Sequence, residues 1–288
     1  MSLSRRQTVA ALAAALPLGP AAAGTARAHG RGRPRPRTLH IAGDSTAAQK
    51  YADAAPEAGW GMALPYFLGG GLDVANHAVN GRSSKSFVDE GRLDDVLAVL
   101  RHGDILLIQF GHNDQKAADP SRYTEPWSTY QEHLLRFVRG ARSRGAGAVL
   151  LTPVERRRFD AGGRAVTTHG EYPAAMRALA AREDVPLVDV QASSIKEWQA
   201  LGPEPSKAYF NWLAPGESPN HPDGSQDNTH FRPRGAIEVA RMVARGLRGR
   251  GVLPARDLRR IDEPVPAGWI TWPPPPDAES TATATGPA

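Results

Sequence analysis

The sequence predicts an α/β fold of three layers, α/β/α, around a mainly parallel sheet of about five strands. Three observations predict it. Short continuous apolar runs recur along the chain, stretches with helical spacing lie between them, and no internal linker separates two cores. Continuous apolar runs suit strands covered on both faces, as the strands of parallel sheets are. Strands that alternate with helices build βαβ units, which stack into layers.

The first run, Thr38–Ala42, stops abruptly at Gly43-Asp44-Ser45. A second lies near Leu72–Ala78, and the third, Asp104–Phe110, ends at Gly111. The fourth and fifth are Ala148–Pro153 and Val185–Val190. Between them, Leu93, Val96, Leu97 and Leu100 form one helical stripe, and Leu134, Leu135 and Val138 fall in another. Tyr172–Arg182 is rich in Ala and Leu, and Ile237, Ala240, Val243, Ala244 and Leu247 line one face of a closing helix after Pro233.

These elements place an α/β domain at residues 38–250, preceded by a Gly/Pro/Arg spacer at 29–37. Residues 1–28 read as a signal peptide: Arg5 and Arg6, an apolar run from Val9 to Leu18, then small residues ending in Ala26-Arg27-Ala28. Adjacent arginines point to the twin-arginine (Tat) route and to a secreted protein, against the alternatives of a disordered basic tail or an anchor. The apolar run is too short to span a bilayer, which needs about 20 residues. Residues 251–288 read as a Pro-rich extension, partly disordered: Trp269 and Trp272 are candidates to dock it on the body, and the alternative is a packed or loose arm without function.

The net charge of +5 is a property of the leader. Residues 1–37 hold seven arginines and no acid, which leaves 28 basic against 30 acidic residues for the rest. A near-neutral body carries no nucleic-acid footprint. The absence of cysteine excludes disulfides, thiolate metal sites and a thiol nucleophile. Nine histidines without H-E-x-x-H or a similar spacing give no metal site, and no cofactor is indicated.

Ligands of open α/β sheets sit outside the carboxyl ends of the strands. Gly43-Asp44-Ser45-Thr46 follows the first strand, Asn80-Gly81-Arg82-Ser83 the second, and Gly111-His112-Asn113-Asp114 the third. Asp227-Asn228-Thr229-His230 falls in a Gly/Pro/Asn-rich loop before the last helix. Taken alone, Ser45 is as well explained as a helix N-cap, Gly81 as a turn glycine, Asn113 as an Asx turn, and Asp227 with His230 as a cap beside a surface histidine.

Together and in this order, the four segments resemble the four blocks of the SGNH (GDSL-type) hydrolases, whose fold is flavodoxin-like. Gly59-Trp60-Gly61 and Thr152–Arg157 are also similar to the rhamnogalacturonan acetylesterase branch. The resemblance spans about Thr38 to Leu247. It implies a serine esterase with Ser45 as nucleophile and His230, oriented by Asp227, as base. It also implies an oxyanion hole made by the Ser45 and Gly81 N–H groups and the Asn113 amide. The G-x-S-x-G elbow, the P-loop and G-x-G-x-x-G are absent, so none of them explains Ser45. Of the other histidines, His112 reads as a buttress of its loop and His221 as part of a turn.

The resemblance implies an acetylated pectic polysaccharide or oligosaccharide as substrate. Xylan and other sugar acetyl esters, or a short-chain lipid ester, are the alternatives within the same chemistry. A non-catalytic polysaccharide-binding protein is the alternative outside it. Trp60 is a candidate to stack on a sugar face; Arg82 and His169 are candidates to line the cleft, with Lys116, Arg156 and Arg157 as further cations. The mature protein is expected to be a monomer with no membrane span.

Overall fold

The computed structural model describes residues 36–276, so the expected signal peptide, most of the spacer and the final residues of the tail lie outside the described residues. Among the described residues there are seven strands: β1 Arg37–Gly43, β2 Leu72–Asn76, β3 Ile105–Gln109, β4 Gly147–Leu151, β5 Leu187–Val188, β6 Phe210–Leu213 and β7 Ser225–Phe231. The α-helices are α1 Trp60–Ala63, α2 Ser84–Asp89, α3 Arg92–Val99, α4 Gln131–Ser143, α5 Tyr172–Arg182, α6 Val190–Leu201, α7 Pro203–Ser206 and α8 Pro233–Gly249.

The first five strands form one parallel sheet in the order β2-β1-β3-β4-β5. Side chains alternate across it, as the pleat requires. Leu39, Ile41, Ile105, Leu107, Val149 and Leu151 face α1, α6 and α8. Ala42, Leu106, Ile108, Ala148 and Leu150 face α2 to α5. The inner strands β3 and β4 are therefore dry on both faces and read as nearly unbroken apolar runs, whereas β2, at the edge, is only half-buried. The fifth run shrinks to a two-residue strand, because β5 is an edge and Asp189 caps α6 by accepting from Ala192 N at 3.1 Å.

The expected apolar face of α8 is buried: Ile237, Ala240, Val243, Ala244 and Leu247 all lie in the core. Its glycines set how closely it approaches. A Cβ on Gly246 would come within 2.2 Å of Val188 Cγ1, and one on Gly235 within 2.0 Å of the Tyr209 carbonyl oxygen.

The sequence pattern gave no sign of the antiparallel pair β6–β7, whose register slips between Phe210 and Trp212. Residues 251–276 run back over the body. Leu253, Ile261 and Ile270 are buried, Gly69 N donates to Asp257 O at 2.7 Å, and Ala52 N donates to Pro273 O at 2.9 Å. Trp272 docks this arm by donating from Nε1 to Glu57 O at 2.7 Å, while Trp269 meets Tyr66 edge-on. No helix among the described residues is long and apolar enough to cross a membrane.

Candidate active site

The chain turns tightly after β1. Ala47 N and Ala48 N both donate to Asp44 O at 3.1 Å, and the Asp44 side chain accepts from Thr46 N at 2.9 Å and Thr46 Oγ1 at 2.8 Å. The turn is pressed from outside by Gly59 and Gly61. A Cβ on Gly59 would lie 2.0 Å from Ala48 O, and one on Gly61 2.5 Å from Ala47 O, so only glycine fits. Between them Trp60 is fully buried and donates from Nε1 to Gln109 Oε1 at 2.7 Å. This corrects the expectation for Trp60: a ring inside the core has no face for a sugar.

Ser45 is held at the mouth of this turn, and its Oγ lies 2.9 Å from His230 Nε2. On the other side of the ring, His230 Nδ1 lies 2.6 Å from Asp227 Oδ2. The carboxylate fixes the tautomer: Nδ1–H donates to Asp227, which leaves Nε2 to accept the Ser45 proton. Asp227 is itself locked, because Oδ1 accepts from Thr229 N at 2.6 Å and His230 N at 3.0 Å. Burial alone would raise the Asp227 pKa, but His230 and the two backbone donors hold it at about 2. Burial alone would make His230 less basic. The Asp227 hydrogen bond and the charges of Glu57 and Asp227 outweigh it and raise the His230 pKa above the ordinary value.

Asp227 and His230 stand on β7 and not in a loop, which corrects the sequence expectation. Arg157 anchors the strand: its N–H donates to Asn228 O at 2.8 Å, its Nη1 donates to Asn228 Oδ1 at 2.9 Å, and its guanidinium stacks over Trp212. Arg157 is thereby engaged in holding β7.

Ser45, Gly81 and Asn113 follow the carboxyl ends of three adjacent strands and so meet at one edge of the sheet. Val79 N donates to Gly43 O at 3.0 Å, bringing the second loop beside the serine turn. Gly81 has φ +77°, a left-handed turn that suits glycine. The Asn113 amide donates to Arg82 O at 3.0 Å, which joins the second and third loops. Asp114 lies fully buried below, accepting from Ser84 N at 3.0 Å and Thr124 Oγ1 at 3.2 Å; burial pushes its carboxyl up to about 7. Asp44 is equally buried, yet its pKa stays at about 2: burial opposes the charge, but His112 Nδ1 at 3.3 Å and the Thr46 donors prevail. Burial keeps His112 below the ordinary histidine range, although the Asp44 carboxylate opposes the shift, and the ring buttresses the loop.

The remaining candidates divide. His169 is fully buried against His112, with Nε2 donating to Val154 O at 2.8 Å, and so does not line the cleft; this expectation is corrected. Arg82 is one-third exposed and pairs with Glu90 Oε2 at 2.9 Å beside a cavity of about 370 Å³ that Gly81 and Arg122 also line. Arg156 is half-buried, and its Nη2 donates to His112 O at 3.3 Å. No motif marks Lys50, a lysine only 1% exposed in the loop after Ser45. Among the described residues, no group of three or more His, Asp or Glu side chains is placed to hold a metal ion.

The chain is similar to known proteins over most of its length. A model of the GDSL-like Lipase/Acylhydrolase family matches residues 41–236. The chain is 49% identical over 219 residues to rhamnogalacturonan acetylesterase RhgT of Bacillus subtilis, covering 76% of this chain and 92% of that one. It is 39% identical to the probable rhamnogalacturonan acetylesterase YesY of the same organism, over 74% of this chain and 94% of the other. The crystal structure of YxiM from Bacillus subtilis superposes with a TM-score of 0.64 at 27% identity, covering 75% of this chain and 57% of that one. Because the match runs from inside β1 into α8, over the serine turn, both glycine-bearing loops and the Asp–His strand, this chain belongs to the GDSL-like lipase/acylhydrolase family.

Proposed function

We propose that the protein is a carboxylic ester hydrolase that removes acetyl groups from acetylated pectic polysaccharide, with a rhamnogalacturonan backbone as its substrate. The observation that supports this most is the continuous line Ser45–His230–Asp227, in a chain whose close relatives are named rhamnogalacturonan acetylesterases.

In this reading Ser45 Oγ attacks the acetyl carbonyl while His230 Nε2 takes the hydroxyl proton. Asp227 remains ionised throughout and steadies the imidazolium. The tetrahedral oxyanion is met by the Ser45 and Gly81 N–H groups and the Asn113 amide, whose second hydrogen is not needed for Arg82 O. His230 then protonates the departing sugar oxygen, leaving an acetyl-serine. Water, deprotonated by the same histidine, releases acetate and restores Ser45.

The test is acetate release from acetylated rhamnogalacturonan, xylan and mannan by the wild type and by Ser45→Ala. Fastest release from the first, lost in the variant, is expected; a clear preference for xylan would reassign the substrate. Export of the protein with cleavage after Ala28 belongs to the same proposal, and mass spectrometry of secreted material is expected to find His29 at the N-terminus.

A further inference from the structure

The mechanism above makes no use of Lys50, a buried cation close to the site. Lys50 is 1% exposed, yet its ammonium has two close partners: Nζ donates to Asn80 Oδ1 at 2.6 Å and pairs with Glu57 Oε1 at 2.6 Å. An ammonium taken out of water is costly even when paired, and an apolar side chain would fill the same space at less cost. Its two partners are what distinguish it. Asn80 is the residue before Gly81, at the turn where the oxyanion is to be held. Glu57 is next to Ala58, whose N–H donates to Phe231 O at 2.8 Å, and so lies beside the strand that carries His230. The arm fixes the Glu57 backbone from the far side, through Trp272.

We propose that Lys50 and Glu57 are a positioning pair for acyl transfer: Lys50 holds Asn80, and through it the Gly81 N–H, while Glu57 supports positive charge on His230. The proposal rests on the serine-esterase reading. The charged and titratable groups facing His230 are Asp227 on its own strand, Glu57 and Lys50 from the loop after β1, and His112 from the loop after β3. Asp227 supplies the hydrogen bond, and burial keeps His112 below the ordinary histidine range. Glu57 acts on the imidazolium favourably and Lys50 unfavourably, so removing either one alone unbalances the site in opposite senses.

The experiment compares Lys50→Met, Glu57→Gln and the double variant, with p-nitrophenyl acetate as substrate. Turnover by the wild type, lost in Ser45→Ala, establishes the esterase reading separately, so these variants report on the pair. Lys50→Met is expected to lower kcat about tenfold or more with KM within about twofold, part of the cost of losing one oxyanion donor. The acid limb of its kcat/KM profile moves to higher pH, because Glu57 is left unopposed. In Glu57→Gln the limb moves to lower pH, because Lys50 is left beside the imidazolium. The double variant carries no uncompensated buried charge and so folds even where Lys50→Met does not. Its limb returns close to the wild-type position while kcat stays low, since Asn80 has still lost its donor. Limbs that fail to move in opposite directions, or a double variant with kcat within about threefold of wild type, would overturn the proposal.

Discussion

At the scale of single residues, Ser45 and Asp227 meet the two ring nitrogens of His230, and under the proposed function the three act as one unit. Ser45→Ala and His230→Ala are each expected to lower kcat by several orders of magnitude, with the double variant scarcely worse, because either change already stops activation of the nucleophile. Steady-state kinetics of the three variants checks this; additive losses would mean that the two residues act separately. Asn113→Ala is expected to lower kcat by about 100- to 1,000-fold with little change in KM, since the amide acts on charge that develops only in the transition state. The four blocks could be found in the sequence because each is local, a strand end and a turn within four or five residues, but alone each had a bland explanation, and only their order and the resemblance it carries implied a site. Trp60 and His169 were misread because their burial is decided by partners far along the chain, Gln109 for one and Val154 for the other. Nothing beside Lys50 in the sequence shows that Glu57 and Asn80 will enclose it.

At the scale of elements, the parallel sheet was legible because both its faces are covered. The hairpin was not. Ser225–Phe231 is half-buried along most of its length and carries Gln, Asp, Asn, Thr and His, so no apolar alternation marks it as a strand. What seats it is α8. Arg232 N donates to Tyr209 O at 3.1 Å, and Gly235 lies flat on the same carbonyl. Helix propensity alone says that Gly235→Ala gains about 1 kcal/mol. The added Cβ would meet a backbone oxygen at 2.0 Å, which cannot swing aside, so packing outweighs propensity. A net loss of about 1–3 kcal/mol is expected in urea unfolding. Because β7 carries His230, kcat is expected to fall with it; a stabilised, fully active variant would show that α8 tolerates displacement.

At the scale of the whole molecule, three carboxyls with shifted pKa values shape the response to pH. Asp44 and Asp227 are both held at about 2 against 3.8, so the stability they contribute is complete above 3.8 and is lost as pH falls toward 2. Asp114 has the opposite sign: its pKa is raised to about 7, so the protonated form favours folding and that advantage is lost as pH rises from 3.8 through 7. From these groups, stability peaks in mildly acidic solution. Urea titrations between pH 2 and 9 are expected to show a smaller acid-side fall in Asp227→Asn and a smaller alkaline-side fall in Asp114→Asn.

The Ser45–His230 contact joins residues 185 positions apart in the chain. At about 5–20 residues per second, a ribosome makes the histidine roughly 10–40 s after the serine. Throughout that interval the hydroxyl is chemically ordinary, with no base to draw off its proton. A nascent chain is therefore expected to be inert toward esters until β7 has emerged and paired, and one cut short before that strand lacks both His230 and α8, the helix that covers one face of the sheet.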